Sequence, residues 1–143
     1  ISGLFALQHL MDQGVVDKKM EETLYVTFLA SAFRTLRFGL SEAHGKGMAL
    51  QLNHLLDQGG VRVERDGTFA VVPDKFKAAV VSLTRLLLTL EGRGDRAGVQ
   101  VQLAQLGGLR PEVQRVISKL GAVPVDIAPR FPTADKLVSL ARR

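Results

Sequence analysis

The spacing of hydrophobic and polar residues predicts a chain built mainly from α-helices. Residues 2–13 form a first short helix that ends at Gly14. A second, longer helix begins after the capping residue Asp17, with glutamates near its start and arginines near its end, as the helix dipole favours. Its middle, LYVTFLASAF, is apolar around most of the circumference, which indicates a helix buried on several sides. Such a helix needs neighbours on nearly every face, and a chain of 143 residues supplies only some of them.

A third helix is predicted after Gly39, with Ser41 as its cap. Its apolar residues follow the i, i+4, i+7, i+8 spacing of one buried face: Met48, Leu52, Leu55 and Leu56. Gly59 and Gly60 end this helix.

One segment breaks the helical pattern. Residues 61–72, VRVERDGTFAVV, alternate around Asp66-Gly67, a dipeptide typical of tight hairpin turns. The remaining helices are predicted from Pro73 to Leu90, from a cap at Asp95 to Leu106, from Pro111 to near Gly121, and from Thr133 to the basic end, after an extended proline-rich segment at 123–132. The fold class is therefore mainly α: a compact multi-helix domain, residues 1–143, with one small β-hairpin at about 61–72.

The composition is apolar for a chain of this size. Hydrophobic residues make up 46% of the chain, and the mean hydropathy is +0.13. An ordinary helical core rich in leucine and valine explains this composition. The alternative is that the chain, which begins at Ile1 without a methionine, is a fragment of a larger protein whose apolar faces meet the missing part.

The charge pattern argues against a nucleic-acid partner. The net charge of +5 is basic, but the lysines and arginines are scattered among acidic residues, and one tyrosine and no tryptophan are present for base stacking. The longest apolar stretch, Ala78 to Leu90, contains Arg85 and is shorter than the ~20 residues of a membrane span, so no membrane contact is expected. The chain has no cysteine, which favours a reducing compartment and a cytoplasmic location.

Few residues form a pattern typical of catalysis. The three histidines, His9, His44 and His54, form no HExxH or comparable zinc signature, and no GxSxG is present. The GxG at Gly45 lacks the third glycine and the preceding strand of a dinucleotide loop. We therefore expect neither a metal site nor a cofactor site within this chain.

His44 is the residue best placed for chemistry. With Ser41 as the cap, His44 is the third residue of its helix, in the turn whose backbone N–H groups are unpaired and whose dipole end is positive. A neutral histidine there can donate one N–H to a carbonyl oxygen or a developing oxyanion. Gly45 and Gly47 each cost about 1 kcal/mol relative to alanine in a helix, which suggests close approach of another chain or a ligand. A surface histidine at a frayed helix start explains the same residues.

Three neighbours of His44 are candidate substrate contacts. Glu42 and Lys46 flank the histidine, and Gln51 follows seven residues later on nearly the same helix face. Each has a simpler explanation, since first-turn charges are usually solvated and a glutamine usually makes ordinary hydrogen bonds.

The order of LYVTFLASAF, SEAH, a leucine-rich helix ending in LLDQGG, a hairpin and an EGRGD turn resembles the dipeptidyl peptidase III family of zinc metallopeptidases. The resemblance is to the C-terminal part of the catalytic region, in bacterial and plant-type members, some of which are labelled Nudix-related. It spans roughly residues 1–129. It implies a peptidase that removes dipeptides from peptide N-termini, with zinc held by an HExxGH motif and by a glutamate of a later helix.

Neither zinc motif of the family is in this chain, and the resemblance places the zinc-ligand glutamate just before Ile1. The chain is then a fragment with no zinc of its own, inactive alone, whose partners are the rest of the parent chain and a peptide substrate. His44 matches the family histidine that contacts substrate and stabilises the tetrahedral intermediate. Some relatives have an arginine where this chain has Met48, and Lys46 is a candidate substitute cation. The alternative function is a non-enzymatic helical module that binds a protein partner.

Overall fold

Seven helices and one short hairpin make up residues 1–124 and 131–141, the part of the chain described by this computed structural model. The helices are α1 (Ser2–Asp12), α2 (Glu21–Leu36), α3 (Ala43–Asp57), α4 (Pro73–Gly92), α5 (Arg96–Leu106), α6 (Pro111–Lys119) and α7 (Pro132–Ala141), and the strands are β1 (Val61–Val63) and β2 (Phe69–Val71). Single turns of 3₁₀ helix lie at Lys18–Met20 and Leu120–Ala122. The predicted fold class, mainly α with one hairpin, is confirmed.

The core lies where α2, α3 and α4 meet. The aromatic ring of Tyr25 in α2 stacks on Phe76 in α4 with ring centroids 4.4 Å apart, and neither side chain is exposed to solvent. α3 contributes Leu52 and Leu55, also fully buried. Burying large aromatic and aliphatic side chains in this way supplies most of the stabilisation of a domain this small.

The long apolar helix α2 buries one face rather than several. Its fully enclosed side chains follow helical spacing along one stripe: Tyr25, Leu29, Ala32 and Leu36. On the opposite side Val26 is 52% exposed, and Ala30 is exposed as well. The expected burial on several sides is therefore met only in part by this chain.

The hairpin has a three-residue loop rather than a tight two-residue turn. Val61 pairs with Val71 and Val63 with Phe69, and the amide of Glu64 donates to the carbonyl of Thr68. Gly67 has φ +83°, which is the left-handed conformation that closes such a loop. The predicted Asp66-Gly67 turn is therefore present, with the glycine as the residue that reverses the chain.

Helix starts follow the predicted chemistry at three places and differ at two. Pro73 and Pro111 occupy first-turn positions, and the Asp95 carboxylate accepts a hydrogen bond from the amide of Gly98. Asp17 caps the 3₁₀ turn that precedes α2 rather than α2 itself. Ser41 caps nothing, because α3 begins at Ala43 after Glu42. Most of the predicted extended segment, 125–130, and the basic end, 142–143, lie outside the described residues.

Candidate active site at the start of α3

The turn before α3 is set by two glycines that meet. Gly39 has φ +89° and turns the chain after α2. The buried backbone of Gly45 then packs on Gly39, and a β-carbon at position 45 would overlap the Gly39 carbonyl oxygen. Gly45 is thus explained by a close approach within the chain, not by a ligand or another chain.

His44 is the second residue of α3 and its side chain is exposed. This is one position earlier in the helix than the Ser41 cap predicted, but it is still the first turn. The first helical hydrogen bond found there joins the amide of Lys46 to the carbonyl of Glu42, at 3.2 Å. Within the described part of the chain no side chain caps this helix end, so the first-turn amides remain available to a bound acceptor.

Helix periodicity places Gly47, Met48 and Gln51 on the face that carries His44. Nothing lies within 4 Å of a β-carbon built at Gly47, so the backbone there is open. The Gln51 side-chain amide donates to the Gly47 carbonyl at 3.1 Å. The side-chain oxygen of Gln51, Oε1, is buried and has no partner among the described residues. His44 and Gln51 stand about 10 Å apart along the helix axis, at 1.5 Å per residue.

Met48 belongs to the packing rather than to the open surface. It is half-buried and contacts the hydrophobic core. Its thioether side chain fills space between helices, as methionine commonly does. Position 48 is therefore used for packing in this chain.

Glu42 and Lys46 lie beside the candidate site in different ways. Glu42 is the residue before α3 and its carboxylate is exposed. Lys46 is exposed too, but two residues along a helix correspond to about 200° of rotation. Lys46 therefore points away from the face of His44, and its role as a substitute cation stays a prediction.

The structure also contains polar contacts that the sequence did not reveal. The buried Gln8 amide donates to the Tyr25 hydroxyl, which donates to Glu21 at 2.7 Å. Lys77 forms ion pairs with Asp12 and Glu21. The i, i+4 spacing of Glu21 and Tyr25 is the one part of this network that the sequence shows. The network joins α1, α2 and α4 and runs from the buried Gln8 and Tyr25 to the partly exposed ion pairs of Lys77, so its role is structural.

Comparison with known proteins identifies the relatives of this chain. No model of a known protein family matches the sequence. The solved structure of dipeptidyl-peptidase III from Corallococcus sp. strain EGB is 59% identical, covers 96% of this chain and superposes with a TM-score of 0.86. The structure of DPP III from Caldithrix abyssi is 32% identical over 94% of this chain, with a TM-score of 0.85. This chain is therefore similar to one part of these dipeptidyl-peptidase III structures.

The chain spans only part of these relatives. It covers 26% of each solved dipeptidyl-peptidase III chain. It is also 42% identical over 141 residues to Nudix hydrolase 3 of Arabidopsis thaliana, where the match covers 97% of this chain and 18% of that protein. The predicted resemblance to dipeptidyl peptidase III, with relatives that carry a Nudix label, is confirmed.

The zinc of the dipeptidyl-peptidase III family has no set of ligands in the described residues. Among the described side chains, no group of three or more histidine, aspartate or glutamate residues could hold a metal ion. His54 is engaged by the Ser82 hydroxyl at 2.8 Å, and burial lowers its pKa. The described side chains therefore provide no catalytic step through zinc. No helix among the described residues is long and apolar enough to cross a membrane.

Proposed function

We propose that this chain supplies the substrate-contacting wall of the active site in a longer zinc-dependent peptidase similar to dipeptidyl-peptidase III. The observation that carries the proposal is the position of His44. It is exposed in the uncapped first turn of α3, in a chain 59% identical to a dipeptidyl-peptidase III. Its residue type and helix position both suit contact with a peptide carbonyl.

The chemistry proposed for His44 is hydrogen-bond donation. A neutral imidazole donates one N–H to the carbonyl oxygen of a bound peptide, and the bond strengthens as negative charge develops on that oxygen during hydrolysis. The positive end of the α3 dipole and its unpaired amides add to the same field. His44 thus lowers the energy of the charged transition state more than that of the bound peptide.

The neighbours of His44 shape the peptide contact in this proposal. The open backbone at Gly47 lets an extended peptide approach the helix. The Glu42 carboxylate, exposed at the helix start, attracts the ammonium group of a peptide N-terminus. Gln51 lies farther along the same face and extends the contact, whereas Lys46 faces away and stays in solvent.

Zinc in this proposal is held by residues outside this chain. It would polarise the scissile carbonyl and activate water, as in zinc peptidases generally. The chain itself contributes binding and charge stabilisation. The lack of cysteine favours a reducing compartment, and we place the parent enzyme in the cytoplasm.

The proposal is tested by comparing two purified proteins. One is this 143-residue chain, and the other is the longer product of its reading frame, which should encode an HExxGH motif upstream. We expect the longer protein to bind zinc and to release dipeptides from peptide N-termini, and the chain alone to do neither. Equimolar zinc in the isolated chain would overturn the proposal. A reading frame without the motif would favour the alternative of a helical interaction module.

A further inference from the structure

The solvent-facing side of α2 carries exposed charges at Glu22 and Arg34 and none in the three turns between them. From Thr23 to Phe33 every residue is apolar or uncharged, although one side of this helix faces solvent in the described structure. The exposed residues on that side are Thr23, Val26, Thr27, Ala30 and Ser31. A surface helix ordinarily carries charged side chains opposite its buried stripe, as α4 does with Asp74 and Lys75.

An apolar groove runs beside this uncharged face. Its volume is about 430 Å³. Its walls come from α2, from the hairpin loop and from α6, and they include Val26, Phe33, Phe69 and Val116. Phe33 and Phe69 pack edge to face with ring centroids 4.9 Å apart, and both rings line the groove. Asp66 and Lys119 are the charged residues among its lining.

We propose that this α2 face and the groove together form the packing surface for an uncharged helix. That helix belongs to the part of the parent enzyme that lies outside this chain. This inference rests on the proposed function. The solved dipeptidyl-peptidase III chains are about four times as long as the stretch this chain matches, since it covers 26% of each. Ample polypeptide is therefore available to cover the face.

The side chains of the α2 face favour a helix as the occupant. Threonine, alanine and serine are small, so a second helix can approach α2 to about 8–10 Å between axes. The adjoining groove then receives the larger side chains of the incoming helix. A charged residue of the occupant placed directly over Val26 and Ala30 would be buried against apolar side chains, which is costly. The occupant is therefore uncharged at these positions, away from Asp66 and Lys119.

The test uses single cysteines, because this chain has none of its own. Ala30→Cys reports on the α2 face. Ala78→Cys is the matched control, an exposed alanine inside α4 that follows Asp74 and Lys75 by one helix turn. In the longer protein we expect the thiol at position 30 to react with a maleimide at least tenfold more slowly in the native state than after unfolding. The thiol at position 78 should show little protection. The modified peptides are quantified by mass spectrometry.

Unprotected Ala30→Cys, or equal protection at positions 30 and 78, would overturn the proposal. Protection that disappears on tenfold dilution would assign the face to a second copy of the protein and overturn it as well. The second measurement is the Tm of variants that carry an added charge. Ala30→Lys should lower the Tm of the longer protein by about 5 °C or more relative to Ala78→Lys. Failure of the proposed function can be distinguished from failure of this inference, because loss of peptidase chemistry at His44 does not alter labelling at position 30.

Discussion

The backbone of Gly45 rests on the carbonyl oxygen of Gly39, and a β-carbon at position 45 has no room. Gly45→Ala is therefore expected to lower the free energy of unfolding by about 1–3 kcal/mol, the usual cost of overpacking. Gly47→Ala, two residues away with nothing within 4 Å of the added carbon, should raise it by up to about 1 kcal/mol through helix propensity. Urea unfolding of the two variants measures both effects. Equal changes, or a stabilising Gly45→Ala, would contradict this packing.

Substitutions at Gly45 and Gly47 should also have different effects in the longer enzyme. Because Gly47 lies open on the face of His44, we expect Gly47→Ala to weaken substrate binding, seen as a higher KM, while it leaves the fold intact. An unchanged KM would remove Gly47 from the proposed peptide contact.

Asn53 connects α3 to the end of α5. It is 3% exposed, and its side-chain amide donates to the carbonyl oxygens of Leu106 at 2.7 Å and Gly108 at 2.8 Å. Asn53→Asp replaces this donor with a carboxylate that faces two carbonyls, so we expect a loss of about 3 kcal/mol or more in unfolding free energy. Asn53→Ala, which leaves the carbonyls unpaired without adding a charge, should cost less. If Asn53→Asp has the same midpoint of urea unfolding as the wild type, these hydrogen bonds do not stabilise the contact between α3 and α5.

His54 makes stability depend on pH near neutrality. Burial lowers its pKa in the folded state, below the value of about 6.5 expected when unfolded. As the pH falls, the unfolded chain binds the proton first, so stability is full above about pH 6.5 and declines toward the folded pKa. His54→Gln should reduce the difference in unfolding free energy between pH 7.5 and pH 5.5. His9→Gln, at an exposed histidine, is the control. An equal reduction in the control would refute the assignment to His54.

Much of the architecture follows from local chemistry in the sequence. Pro73, Pro111 and Asp95 define helix starts through the missing amide of proline and the capping carboxylate of aspartate. The position of Gly67 predicts the hairpin. These signals act within a few residues and do not depend on which other elements lie nearby.

The parts that the sequence did not predict depend on packing between distant elements. Ser41 is a good capping residue, but α3 begins after Glu42, where Gly45 fits against Gly39. The bond between Gln8 and Tyr25 requires the placement of α1 on α2. For the candidate site, the exposure of His44 in a first turn was predictable. The use of Met48 for core packing and the direction of Lys46 became clear only with the helix in place.

The kcat of the His44→Ala variant of the longer enzyme tests the proposed role of His44 most directly. Bound zinc is measured on the same sample, and His9→Ala, at another exposed histidine, is the matched control. We predict that kcat for dipeptide release falls about 100-fold to 1,000-fold, as when one oxyanion donor is removed, while zinc content stays at the wild-type level. A kcat within about twofold of wild type would contradict the claim and leave His44 as a surface histidine.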